Sequence, residues 1–329
     1  MKYILFLTFA FCLNFYANSQ QTYKVEFPDG EQEITIDYDD PSRLPKWNLG
    51  FSFFSVMAAS QNEPNICFRL QPEYRINEKL MIDANFCTPF SKSIEIDQAY
   101  FKNEQTKTVN FTTLAHYQLL YKPFVKTKKT PVNYKQSGSS TTVYTVKMER
   151  NFARSIEAIG GFNFLKVPGN SRIASVTNLQ DSFYYSNSQK FLSLCAGISY
   201  VKSESIKITS EDGSRAYWRY NRVYAYLTTA LTGNVEARMA IKSSSFSGGV
   251  ERTVSASDGF VKPDISRIGY RIGAERHLGT KNSGFSMVIG IEVGSTPYAK
   301  FDLLPGAKPS KGFFLFHMGF GFGQNVGKD

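Results

Sequence analysis

The side chains best suited to chemistry are three histidines, His116, His277 and His317, and three cysteines, Cys67, Cys87 and Cys195. A fourth cysteine, Cys12, sits in an apolar N-terminal run. An enzyme acting on lipid would need a Ser–His pair near a membrane-facing rim. His116 and His317 fall instead on the polar faces of alternating segments, and His277 lies at a segment end. There is no G-x-S-x-G elbow and no H-E-x-x-H helix. Two histidines on separate segments are also a thin basis for a metal site. No catalytic, cofactor-binding or metal-binding residue is therefore assigned, and no cofactor is expected.

The cysteines carry a sharper expectation. Residues 66–90 read as a hairpin. If Arg75 pairs with Lys79, then Arg69 faces Asn85 and Cys67 faces Cys87. A cross-strand disulfide is then geometrically open in an oxidising compartment. It would close a loop of about 20 residues, worth roughly 3 kcal/mol. The competing reading is a pair of reduced thiols in a packed interior, because a two-residue register shift breaks the pairing. Cys195 is left over.

A third group is charged. Arg69, Glu73, Arg75, Asp83, Lys122, Glu157, Arg267, Arg271, Glu275 and Glu292 share the polar faces of their segments. They either line an aqueous pore or pair across a narrow interior. Balanced signs favour pairing, since unpaired buried charges are expensive.

The elements that would hold these residues show period-two alternation from Trp47 onward. In Ile66–Ile76, Ile66, Phe68, Leu70, Tyr74 and Ile76 oppose Cys67, Arg69, Gln71, Glu73 and Arg75. In Phe313–Gly323, Phe314, Phe316, Met318, Phe320 and Phe322 oppose His317, Gly319, Gly321 and Gly323. Phenylalanine on one face and glycine on the other suits lipid outside and a crowded lumen inside. Several runs are about 10–12 residues long, enough to cross a bilayer at the usual tilt. Short turns alternate with long polar stretches near 91–109, 125–141, 166–189 and 245–265. The expected fold is all-β: one antiparallel transmembrane β-barrel over 47–323, of about 12 strands (about 10 to 14), with a tail at 324–329. One segment fits poorly. Trp218, Tyr220, Tyr224 and Tyr226, read as an outward aromatic stripe, also contain Arg222, which would cost about 2–4 kcal/mol at mid-bilayer, so Arg222 lies near an interface, a bulge shifts the register, or another protein covers this face.

Residues 1–19 read as a cleaved secretory signal: Lys2, an apolar run, then Ala17-Asn18-Ser19 before Gln20. Phe11 before Cys12 argues against lipidation. Residues 20–46 form an acidic extension or plug, with two strand-like runs around Pro28-Asp29-Gly30. Its acids read as a solvated face, lacking the spacing of a calcium loop. The formal charge of +10 is spread along the chain except at Lys126, Lys128 and Lys129. With export, that excludes nucleic acid as a partner.

The cleavage region Ala17–Gln20, the alternating strands from Trp47 and the closing run GFFLFHMGFGFG (312–323) resemble a Bacteroidota-type outer-membrane β-barrel protein. One departure is that the last aromatic, Phe322, is followed by further residues, where many such barrels end on an aromatic. The resemblance implies an exported protein of the outer membrane, with membrane lipid as a partner. Its expected role is a non-enzymatic structural or accessory subunit of a larger outer-membrane machine, of the β-barrel assembly or type IX secretion kind. The alternatives are a narrow porin-like channel, a lipid-acting enzyme, or a soluble exported β-sandwich. Other outer-membrane proteins are the expected protein partners.

Overall fold

In a computed structural model, the residues described are 20–27, 30–37, 44–59, 65–90, 108–137, 140–174, 182–210, 213–242, 250–255, 264–280, 284–300 and 312–324. The leader at 1–19 and the tail from 325 lie outside them, as does most of the stretch at 91–109.

Ten strands close into an antiparallel barrel. In chain order they are β3 (Trp47–Ala59), β4 (Asn65–Arg75), β5 (Leu80–Pro89), β6 (Val109–Ser137), β7 (Ser140–Ala174), β8 (Ser182–Ser210), β9 (Gly213–Lys242), β12 (Ile268–Thr280), β13 (Phe285–Ser295) and β15 (Gly312–Gln324). Each pairs with the next, and β15 pairs back onto β3 from Phe313↔Ala59 to Gln324↔Trp47. A closed ring has no edge to protect.

The count of ten lies at the lower end of the expected 10 to 14, and much of the polar sequence at 125–137 and 140–141, and at 166–174 and 182–189, is strand. These stretches prolong β6, β7 and β8 to 29, 35 and 29 residues. One end of the barrel carries the short connections, including the Asn77–Lys79 turn. There the Asn77 side-chain oxygen accepts from the backbone N–H of Lys79 (2.9 Å) and Leu80 (2.8 Å). The opposite, long-loop end carries the β7–β8 extension, β10 (Val250–Ser255) on the edge of β9, and the small pair β11 (Asp264–Ser266) with β14 (Tyr298–Lys300).

The alternation is inverted relative to a water-soluble fold. Phe314, Phe316, Met318, Phe320 and Phe322 point outward, and Phe322 is 55% exposed, while His317 is buried inside at 1%. Apolar side chains face outward on every barrel strand, for example Ile66, Ile82, Phe111, Phe162, Ile198, Leu227, Ile272 and Ile289. Two bulges turn an extra apolar residue out. At Phe53–Phe54 and at Leu119–Leu120 the pairing slips by one residue and both side chains are exposed. The second bulge reverses the facing of the downstream residues of β6. Lys122, expected in the lumen, therefore points outward opposite Arg154.

Beyond the short-turn rim three hairpins build a small module. β7 leaves β8 after Phe152↔Glu204. There β1 (Gln20–Phe27) and β2 (Gly30–Asp37) form an antiparallel hairpin, and β2 adds to β8 from Asp37↔Lys207 to Thr35↔Thr209. Ile34, Ile36, Val132, Met148, Ile206 and Ile208 make a buried core between the three hairpins. The N-terminal hairpin thus lies beside the wall's extension and not inside the lumen as a plug.

Candidate functional site in the barrel lumen

Inward-facing side chains fill the barrel in layers. Toward the long-loop end the layer is apolar: Met57, Cys67, Cys87, Leu165, Phe313 and Leu315 are all buried together. Toward the short-turn end Leu44 closes against Val201, Trp218 and Tyr220. Between them lies a charged layer.

Its centre is Arg222 on β9, 2% exposed. The guanidinium lies 3.3 Å from Asp83, 3.8 Å from Glu275 and 3.9 Å from Glu73. Arg69 donates to Glu275 at 3.0 Å, and Arg271 donates to Glu292 at 2.6 Å. His116 sits between two carboxylates, 2.9 Å from Asp83 and 3.4 Å from Glu157. Ser199 donates to Glu157 at 2.8 Å. His277 and His317 approach Glu275 at 3.4 and 3.7 Å. Many of these contacts cross the lumen. The Tyr220 hydroxyl on β9 donates to Glu73 on β4 at 2.6 Å, joining strands on opposite sides of the ring. A cavity of about 20 Å³ remains among Arg69, Asp83, Asn85, His116 and Arg222, room for an ordered water.

β9 also supplies an aromatic ladder. Trp218 stacks on Tyr220 (5.8 Å), Tyr220 on His277 (4.2 Å), and Tyr224 on Tyr226 (6.0 Å). The Tyr224 hydroxyl donates to Glu292 at 2.7 Å. The stripe read as outward therefore faces inward, and the awkward Arg222 is the hub of the lumen. The signal was present in the sequence. A charge central to one face is cheap only where partners surround it, and the opposite face of Val223, Ala225, Leu227, Thr229 and Leu231 suits lipid without any charge.

Lumen glycines complement this ladder. Gly273 pairs with Tyr224, Gly279 with Trp218 and Gly290 with His317. In each case a Cβ on the glycine would clash with the partner's ring, at 2.2–2.4 Å from its nearest atom. The rings occupy the gaps that would otherwise have left a channel. Gly273→Val is expected to cost about 1–3 kcal/mol by overpacking. The outward Gly160 has nothing within 4 Å of such a Cβ, and Gly160→Ala should be silent. Denaturant midpoints of both variants in detergent micelles check the contrast.

Of the charges expected in the lumen, Arg69, Glu73, Asp83, Arg271, Glu275 and Glu292 meet there, together with Glu157. Arg75 is half-buried at the short-turn end of the lumen. Arg267 does not join them. It is exposed at the long-loop rim, between β11 and β12, where its backbone carbonyl accepts from Ala230 N–H at 2.8 Å. The β4–β5 register places Arg69 opposite Cys87 and Cys67 opposite Pro89. This is two residues from the register that aligns the cysteines. Both are buried and not joined in a disulfide, and they are in side-chain contact as diagonal neighbours. Cys195 is a free thiol packed with Leu114 and Tyr226.

Among the described residues no group of three His, Cys, Asp or Glu side chains is arranged to hold a metal ion. The fold and its interior define a closed, ten-stranded antiparallel β-barrel with a polar, side-chain-filled lumen. Compared with known proteins, the chain matches no family model and no curated protein.

Proposed function

We propose that this protein is an outer-membrane β-barrel that crosses the bilayer without conducting, and that it serves as a non-catalytic structural subunit of a larger outer-membrane machine. The observation that carries this reading is the inverted barrel with a sealed lumen: apolar side chains outside on all ten strands, cross-lumen ion pairs inside, and apolar layers at both ends. An exposed apolar surface of this extent needs lipid around it. The belt has the right height. Twelve residues separate Arg154 from Lys166 on β7, and Lys202 from Lys190 on β8. At about 3.3 Å per residue and a tilt of about 40°, that is about 30 Å, the thickness of a hydrocarbon core.

Short turns at one end and long loops at the other match periplasmic and extracellular sides. The three-hairpin module then projects into the periplasm as the part that meets other subunits. The purified protein in planar bilayers is expected to give no steady conductance above the lipid baseline. It should also migrate from mild detergent extracts of its own outer membrane as part of a discrete larger complex. Stable single-channel steps would overturn the sealed reading in favour of a narrow channel. A lone monomer would overturn the subunit role.

A further inference from the structure

The outward face of the barrel carries an uneven charge distribution at its short-turn rim. Along neighbouring strands the register aligns Lys122 on β6 with Arg154 on β7, Arg154 with Lys202 on β8, Lys202 with Asn221 on β9, and Asn221 with Arg276 on β12. All five point outward. The next row toward mid-barrel is Leu120, Ile156, Tyr200, Val223 and Ala274, again in register and exposed. On β6, β7 and β8, Lys122, Arg154 and Lys202 are the first outward charges past the apolar residues at that end.

Cations directly opposite one another on adjacent strands repel. Strand spacing of about 4.8 Å brings Lys122, Arg154 and Lys202 within one another's field. The row beyond them offers little relief. It contains Phe124 and Phe152, stacked at 5.3 Å, and one carboxylate, Glu204. Glu204 is already engaged by Arg150 and Arg219. Arg154 and Lys202 instead lean over the Phe124 ring, at 4.3 and 5.5 Å. The crowding reaches Lys128, further out on β6. Burial first, and then Arg219, Arg150 and Lys202, hold its ammonium below the usual lysine range against the pull of Glu204.

We infer that Lys122, Arg154 and Lys202 form a binding row for the phosphate groups of anionic phospholipids in the leaflet on the short-turn side. This inference rests on the membrane-barrel reading above. The chemistry is complementary in charge and position: phosphate oxygens lie just outside the hydrocarbon, where the row lies just outside the apolar belt. A guanidinium takes phosphate bidentately, and lysines supply point charges on either side. Bound phosphate relieves the like-charge row that the β6–β8 register imposes. The row covers one arc of the barrel only, because on β9 the position paired with Lys202 is the neutral Asn221. That arc also carries the module, so ordered lipid would seat the module against the membrane surface.

The test uses the full mature chain and the triple variant Lys122→Gln, Arg154→Gln, Lys202→Gln. Both are reconstituted into vesicles of phosphatidylcholine alone, or of equal phosphatidylcholine and phosphatidylglycerol. They are then extracted in mild detergent, and the retained lipid is counted by native mass spectrometry. Wild type should retain phosphatidylglycerol over phosphatidylcholine, with enrichment falling about fivefold for each basic residue removed. Enrichment should also fall as ionic strength rises. Resistance of the folded band to heat in detergent confirms that the variant still folds. Equal retention of both lipids by wild type, or unchanged enrichment in the variant, would sink the proposal. Displacement of phosphatidylglycerol by millimolar inorganic phosphate would instead assign the row to a free anion and overturn the lipid site. Flotation with phosphatidylcholine vesicles separates the two levels of failure. A protein that floats but shows no lipid preference loses only this site, whereas one that does not float loses the membrane reading.

Discussion

Arg222→Ala is expected to lower the unfolding free energy of the barrel by about 3–5 kcal/mol, the usual cost of breaking a buried ion pair from one side. The reason is arithmetic in the lumen. Asp83, Glu73 and Glu275 all lie within 4 Å of its guanidinium, and each carboxylate is largely shielded from water. Arg69 still serves Glu275, and His116 still serves Asp83. Glu73 keeps the Tyr220 hydroxyl but loses the arginine. Arg222→Met keeps most of the volume and should be nearly as damaging, because the loss is of charge and not of packing. Arg222→Lys should fall between, since one compact ammonium cannot replace a planar fork reaching three carboxylates. Arg222→Met combined with Glu73→Gln should recover much of the loss, because it neutralises the carboxylate left without its arginine while Arg69–Glu275 and His116–Asp83 stay paired. Urea titrations in detergent micelles report it through Trp218, which is 2% exposed and stacked on Tyr220, two residues from the substitution. A loss below about 1 kcal/mol, the range of solvated surface pairs, would mean that water already reaches these carboxylates. The lumen would then be open, and the non-conducting reading would fail with it.

Much of the architecture was legible because the barrel obeys a strict period of two. Ile66–Ile76 and Phe313–Gly323 read their two faces correctly, since one residue type dominates each side. The errors arose where the period alone is ambiguous. In Trp218–Leu231 both faces are rich in large side chains, and aromatic content suggested an outward face although the tyrosine hydroxyls need partners when buried. Four of these side chains on β9 are central to the lumen, and they were the ones placed outside. A bulge is equally invisible to periodicity. The extra residue at Leu119–Leu120 flips Lys122 to the outer wall, where it joins Arg154 and Lys202, so the basic row could not be seen from any one strand. The cysteine pair failed as a cross-strand match for a related reason. A turn guessed two residues short moves every pairing while leaving all faces unchanged. The ten strands observed fall within the expected range of 10 to 14. Residues 125–137 and 166–174 remain paired beyond the apolar belt, so polarity there marks the end of the belt and not the end of the strand.

Those prolonged strands carry the second large expectation. Glu204 stands where β7 parts from β8, outward-facing and 1% exposed, with the guanidinium groups of Arg150 and Arg219 on its two oxygens. Arg150 also donates to Tyr217 (2.7 Å) and to Thr130 (3.2 Å), linking β6, β7, β8 and β9 at one point. Glu204→Ala leaves Arg150 buried without its carboxylate. Arg219 is 19% exposed on its side chain and can turn toward water, so the cost should sit near the lower end of the range for a broken buried pair, about 3 kcal/mol. The barrel below keeps its ring of hydrogen bonds, so the loss should fall on the module alone. Local opening of this size raises the open population about 150-fold. Trypsin cleavage near Lys126, Lys128 and Lys129 should accelerate by a similar factor while opening stays fast relative to cleavage. The heat resistance of the folded barrel should not change. An unaltered cleavage rate would mean that the Ile34–Ile208 core alone holds the hairpins together. Selective loosening would show instead that the module folds as its own unit, tied to the barrel through one buried carboxylate. A docking element needs that independence, because it can then be rearranged by a partner while the barrel stays closed.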